Sequence, residues 1–188
     1  MKNNLYNMRC LDIYLSGLSK EQYDNIKHEI DPSKMKRGPL VSWDIFMDSY
    51  QKKIRDARKS SEIKQVYALA EKFRWRNDLK LAFKEYEYEA LVITDLNQKI
   101  IWLNDGFTKM TGYSKNFAIN KSPKFLHGEN TSLEAKLRFR EKIAQNKPFK
   151  EIIINYKKDR TAYNCEIKVI PLFNDNTTHY LAFEQKVR

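Results

Sequence analysis

The chain has 188 residues, with 35 Lys and Arg against 24 Asp and Glu, a net charge of +11 and 41% hydrophobic residues. That hydrophobic share supports a proper buried core and excludes a disordered polymer, while two cysteines and three scattered histidines exclude a disulfide framework and any zinc-ligand spacing. No apolar run reaches the roughly 18 residues of a membrane span, and the basic excess is spread over both halves rather than gathered in a nucleic-acid-binding tail, so a cytoplasmic protein is expected.

The first 88 residues read as a helical extension. Ser19 followed by Gln22 forms a capping box for a helix running toward Ile30, and Asp31-Pro32 ends it. Pro32 to Pro39 is a loop. Trp43, Phe46, Met47, Tyr50 and Ile54 then recur at helical spacing, and so do Ile63, Val66, Tyr67, Ala70 and Phe73 after an expected break at Ser60-Ser61. Each helix has one apolar face that must bury against the other helices, the following domain or a second copy of the chain, because an isolated amphipathic helix is marginal in water. Trp43, Phe46, Tyr50, Val66 and Phe73 are the candidates for packing against a second copy of the chain or a signalling partner.

After Tyr88 the period changes from helical to alternating, which divides the chain into residues 1–88 and 89–188. Short strands are expected over Ala90–Thr94 and Lys99–Leu103, joined by the turn residues Asp95 to Gln98. Asn104-Asp105-Gly106 stops the second strand and starts a helix. Short helices continue to Leu126, and Thr131 with Glu134 suggests a capping box for a longer helix that ends near Asn146. Three strands close the chain, near Phe149–Lys157, Ala162–Leu172 and Thr177–Lys186. With all helices inserted between the second and third strands, the expected fold is α+β: a five-stranded antiparallel sheet with helices on one face, preceded by the helical extension. In the fourth strand, Tyr163, Cys165, Ile167 and Val169 share one face and should point inward.

Particular residues in this half resemble a known family. Ala90 to Asp95, Ile100 to Asn104, Phe107, Thr111-Gly112-Tyr113, Asn155 to Asp159 and Pro171-Leu172 together look like a PAS domain. Lys124-Phe125-Leu126-His127-Gly128 looks closest to its light-oxygen-voltage (LOV) branch, which binds FMN and senses blue light. The resemblance implies a sensory fold with a small-molecule cavity.

Carried over residue by residue, the branch's photoactive cysteine falls on Pro123, which has no nucleophile, so a cysteinyl adduct is not expected there. The resemblance puts Ser122 at the position of a flavin-contacting Asn, Lys124 at that of the phosphate-binding Arg and His127 at that of a Gln. It also matches Asn155 to the first of two flavin-binding asparagines, puts Cys165 at the second and Glu184 at the final Gln. Lysine holds a phosphate as a point charge without the planar fork of arginine. With only Asn155 unchanged among the polar contacts, no cofactor is expected. FMN or another small ligand in the pocket is the alternative.

Other readings are weighed on the same residues. Cys165 reads as a packed small hydrophobe, since no basic neighbour lowers its pKa, and His127 and His179 lack companions for a metal. Val66 to Phe73 followed by Asn77 to Phe83 imitates a helix-turn-helix, with Arg74, Arg76 and Lys80 placed for phosphate contacts. Arg74 stands where that motif usually has Gly, and Leu79, Leu81, Ala82 and Phe83 read as packing residues, so nucleic acid is not expected. No phosphate-binding glycine loop, nucleophile with a positioned base or paired carboxylates are found, so catalysis is not expected either. The expected function is a sensory module acting through protein contact, as a homodimer or with a partner. The alternatives are a flavin sensor without adduct chemistry and a DNA-binding regulator.

Overall fold

The computed structural model describes residues 11–27 and 41–187, with side chains over 14–27 and 47–187. The chain divides into two units, residues 1–60 and 61–188. In the first, α1 (Leu11–Ser16) precedes α2 (Lys20–Ile26). The Ser19 hydroxyl accepts from the Gln22 amide while the Gln22 side chain accepts from the Ser19 amide, the reciprocal cap that the sequence suggested. Asp31-Pro32 lies outside the described residues.

The helix α3 spans Val41–Phe73 without the break expected at Ser60-Ser61. Two serines cost a helix only about 0.5 kcal/mol each, and Glu62, next in sequence, is held in a buried hydrogen bond that the sequence pattern does not reveal: Asn104 Nδ2 donates to Glu62 Oε2 at 3.0 Å. Arg74 takes the left-handed conformation (φ 56°) that lets the chain turn into α4 (Leu79–Glu85). Leu79 and Ala82 of α4 are buried, but Leu81, expected to pack, is exposed. Arg76 pairs with Asp175 at 3.0 Å, and its amide donates to the Phe173 carbonyl.

Five strands follow: β1 (Ala90–Asp95), β2 (Ile100–Leu103), β3 (Phe149–Tyr156), β4 (Ala162–Phe173) and β5 (Thr177–Val187). They form one antiparallel sheet in the order β2-β1-β5-β4-β3. Between β2 and β3 lie α5 (Asp105–Thr111), α6 (Lys115–Ala118), a short 3-10 helix (Pro123–Leu126) and α7 (Leu133–Ala144). The α5 cap is Asn104, whose Oδ1 accepts from the amides of Phe107 and Leu91. The α7 cap is Ser132, not Thr131. The Thr131 hydroxyl is already engaged, accepting from the Gly128 amide at 2.9 Å and donating to the Ile154 carbonyl at 2.7 Å.

Both faces of the sheet are covered. On one, Ala90, Val92, Ile153, Cys165, Ile167, Val169 and Tyr180 pack with Phe107, Met110 and Leu126 from the inserted helices. On the other, Leu91, Ile93, Leu181 and Phe183 pack with Val66, Trp75, Leu79 and Ala82 from the end of α3, the following turn and α4. This explains why β1 reads as a continuous apolar run, since all of Ala90 to Thr94 is buried. Of the interface candidates, Val66 is fully buried and Phe73 half-buried in the cluster against the protein's own sheet. Tyr50 is exposed, and the side chains of Trp43 and Phe46 lie outside the described residues.

Candidate functional site

A cavity of about 190 Å³ lies between the sheet and the inserted helices. An engineered apolar cavity of roughly 150 Å³ holds a benzene ring, so a small ring fits the space. Its sheet wall comes from Val92, Thr94, Ile153, Asn155, Ile167, Val169, Tyr180, Ala182 and Glu184. Strand alternation makes this wall: Tyr180, Ala182 and Glu184 of β5 line the cavity, while Leu181 and Phe183 join the cluster on the opposite face. The other wall is Ser122, Pro123, Lys124, Leu126 and His127 around the 3-10 helix, with Lys136, Phe139, Arg140 and Ile143 from α7.

Polar atoms without partners mark the wall. Asn155 Oδ1, Ser122 Oγ and Glu184 Oε2 are buried and make no hydrogen bond. Each costs on the order of 1–3 kcal/mol if left unsatisfied. Burial pushes the Glu184 carboxyl up to about 7, with no cation paired to it among the described residues. Cys165 is fully buried, as the alternation requires, and Asn164 is exposed. Burial, then the Glu184 and Glu89 carboxylates, push the Cys165 thiol well above its ordinary range, so it is held as the inert thiol.

Lys124, Lys136 and Arg140 add positive charge, and none of them is ion-paired among the described residues. Lys136 and Arg140 stand four residues apart on α7 and so share one helix face. Burial lowers the pKa of His127 first, and the positive charges of Lys136 and Lys124 lower it further, which keeps the imidazole neutral among cations.

Five of the six pocket residues suggested by sequence are therefore brought together: Ser122, Lys124, His127, Asn155 and Glu184. Cys165 is not among them. Its sulfur lies 3.9 Å from the Glu166 carbonyl, and the neighbouring Ile153 and Ile167 form the wall. Sequence reasoning missed Lys136, Arg140 and Gln98. The first two carried a signal in their four-residue spacing, whereas Gln98 reaches the cavity through a hairpin in which it adopts a positive φ of 61°. Among the described residues no group of three or more His, Cys, Asp or Glu could hold a metal, and no helix is long and apolar enough to cross a membrane.

Residues 89–185 match the family model described as PAS domain. The chain belongs to the PAS domain family. The match begins where the helical period gives way to alternation. A blue-light photoreceptor of Listeria innocua is 34% identical over 100 residues, covering 52% of this chain and 40% of that protein. A nitrogen fixation regulatory protein of Klebsiella oxytoca is 29% identical over 100 residues, 52% of this chain and 20% of that one. The chain thus spans less than half the length of these curated relatives. Among solved structures, the dark structure of the blue-light photoreceptor Aureochrome1 LOV is 26% identical, with a TM-score of 0.55, and covers 60% of this chain and 84% of that one. The PAS domain from the fruit-fly ELK potassium channel, at 22% identity and TM-score 0.51, shares the fold. The protein is a PAS module related to LOV domains.

Proposed function

We propose that this PAS module is a sensor that reports, through protein contact, whether its cavity holds a small ligand bound without a covalent link. The observation that carries this is the apolar chamber with three unsatisfied polar atoms on its wall, Asn155 Oδ1, Ser122 Oγ and Glu184 Oε2. A ring with a polar edge would satisfy them and bury its body against Ile153, Ile167 and Val169, while Lys124, Lys136 and Arg140 suit an anionic tail. The unsatisfied atoms favour an occupied chamber over an empty one.

FMN fits part of this donor set. Asn155 and Ser122 would meet the ring edge, Lys124, Lys136 and Arg140 the phosphate, and the bound flavin would supply absorption of blue light. The covalent chemistry does not fit. Pro123 lines the cavity and has no nucleophile at the position that the resemblance gives to the LOV cysteine, and Cys165 is buried in the same cluster without lining the cavity, so we assign no adduct and no catalytic step.

The route outward is β5. One face of this strand carries Tyr180, Ala182 and Glu184 toward the chamber, and the other carries Leu181 and Phe183 toward the end of α3 and α4. A ligand moves this equilibrium only by its difference in affinity between two arrangements of these helices. Trp43, Phe46 and Tyr50 are the candidates for contact with a second copy or a signalling partner.

The test is to denature freshly purified protein, identify any released small molecule by mass, and repeat this with Asn155→Ala. A molecule released from the parent and reduced in the variant supports the reading. A parent that releases nothing, and whose melting temperature no ring compound raises, overturns it.

A further inference from the structure

Among the described residues Glu184 is the one acid on the cavity wall, and its setting is unusual for a carboxyl group. It sits on β5, paired with Ala90 of β1 and Ile167 of β4, and is 4% exposed. Its Oε2 has no hydrogen-bond partner.

We propose that Glu184 is a proton-carrying hydrogen-bond donor, which admits a ring ligand by an acceptor edge when protonated and rejects that edge when ionised. This rests on the reading of the cavity as a ligand chamber. Asn and Gln side chains donate at any pH, but a carboxyl group donates only with its proton on. An ionised carboxylate facing a carbonyl oxygen or ring nitrogen in a water-poor chamber sets negative charge against lone pairs, with little solvent to screen them. The group's environment favours the acid form, since burial disfavours the charged form and brings its titration to about neutrality.

The charged and titratable groups around it are few. From β4 come the Cys165 thiol and the Tyr163 phenol, both held protonated by burial. Ahead of β1, the Glu89 carboxylate accepts from the Lys186 amide. The cavity wall across from the sheet contributes His127, Lys124, Lys136 and Arg140, none within ion-pair distance of Glu184. The imidazole, whose pKa is lowered, titrates below the window in which Glu184 loses its proton. A pH response above neutrality therefore belongs to Glu184.

The experiment titrates the full chain and its Glu184→Gln variant with riboflavin by fluorescence, from about pH 6 to about pH 9. Riboflavin presents adjacent carbonyl and ring-nitrogen acceptors and carries no phosphate to titrate. The expected result is parent affinity that falls about tenfold per pH unit above neutrality, while Glu184→Gln binds with no such slope. Infrared spectroscopy should show the carbonyl stretch of a protonated carboxylic acid in the parent at pH 6, absent from the variant. A parent affinity that is flat across the range, or a variant that keeps the full slope, overturns the role of Glu184 and leaves the ligand chamber standing. No riboflavin binding by either protein at any pH overturns this inference, while the chamber itself stands or falls on the released molecule and the melting shifts.

Discussion

Trp75 donates its indole N–H to His179 Nδ1 at 3.2 Å and to Thr178 Oγ1 at 3.1 Å, which ties the turn after α3 to the start of β5. The rings of Phe73, Trp75 and His179 pack together, with Phe73 and His179 centroids 4.3 Å apart. Nδ1 accepts in the neutral imidazole, and the same nitrogen lies 2.9 Å from Thr178 Oγ1. Replacing Trp75 by Phe keeps the ring packing and removes the donor. The expected outcome is a loss of about 1 kcal/mol of stability, with faster amide exchange from Val66 to Trp75, measured by urea unfolding and hydrogen exchange.

The same contact has a definite pH sign. Burial lowers the His179 pKa below its ordinary 6.5, the Asp95 carboxylate opposing this only in part, so the unfolded chain binds the proton more readily than the folded one. Its contribution to stability is therefore complete above pH 6.5 and is lost as pH falls through the folded value. A His179→Phe variant should unfold with a weaker dependence on pH below 6.5 than the parent. Equal slopes would show that the Trp75 contact does not sense this proton.

Glu184 carries the opposite sign. Its folded pKa is raised from 4.5 to about 7, so the folded state holds the proton more tightly and stability declines as pH rises between those values. Glu184→Gln removes the burden of a buried carboxylate. At pH 8 the variant should be more stable than the parent by about 3 kcal/mol, and near pH 4 the two should be nearly equal. Paired denaturation curves at both pH values check this, since the histidines titrate alike in parent and variant.

Asn104 is the junction between three elements. It accepts from the amides of Leu91 and Phe107 at 2.9 and 3.1 Å and donates to Glu62 at 3.0 Å. Asn104→Asp keeps both acceptor roles but turns a donor toward Glu62 into a second carboxylate. The expected cost is about 2–4 kcal/mol at neutral pH, largely restored in the double variant with Glu62→Gln. Thermal unfolding of the four proteins measures that coupling.

Most of the fold was legible because period and turn chemistry are local. The switch at Tyr88, the turn at Asp95 to Gln98, the cap at Asn104 and the alternation through Cys165 all lie where the sequence puts them. The misses came from contacts distant in sequence. The run through Ser60-Ser61 goes with Glu62 being held by Asn104, 42 residues away, and Thr131 loses its capping role to Ile154, 23 residues away. Residue types along the chain do not announce such partners. At the site, the motif around Lys124 to Gly128 located one wall. Lys136 and Arg140 join it because α7 packs near β3, whereas Cys165, paired with Ile153 in the same buried cluster, does not line the cavity.

The central claim is a ligand chamber without covalent chemistry, and the most direct measurement is the absorption spectrum and intact mass of the protein incubated with FMN, before and after blue-light exposure. The account predicts that bound flavin keeps its absorption bands under illumination and that the protein's denatured mass is unchanged. Reversible bleaching of those bands, with a mass gain equal to one flavin on Cys165 or any other residue, would contradict it.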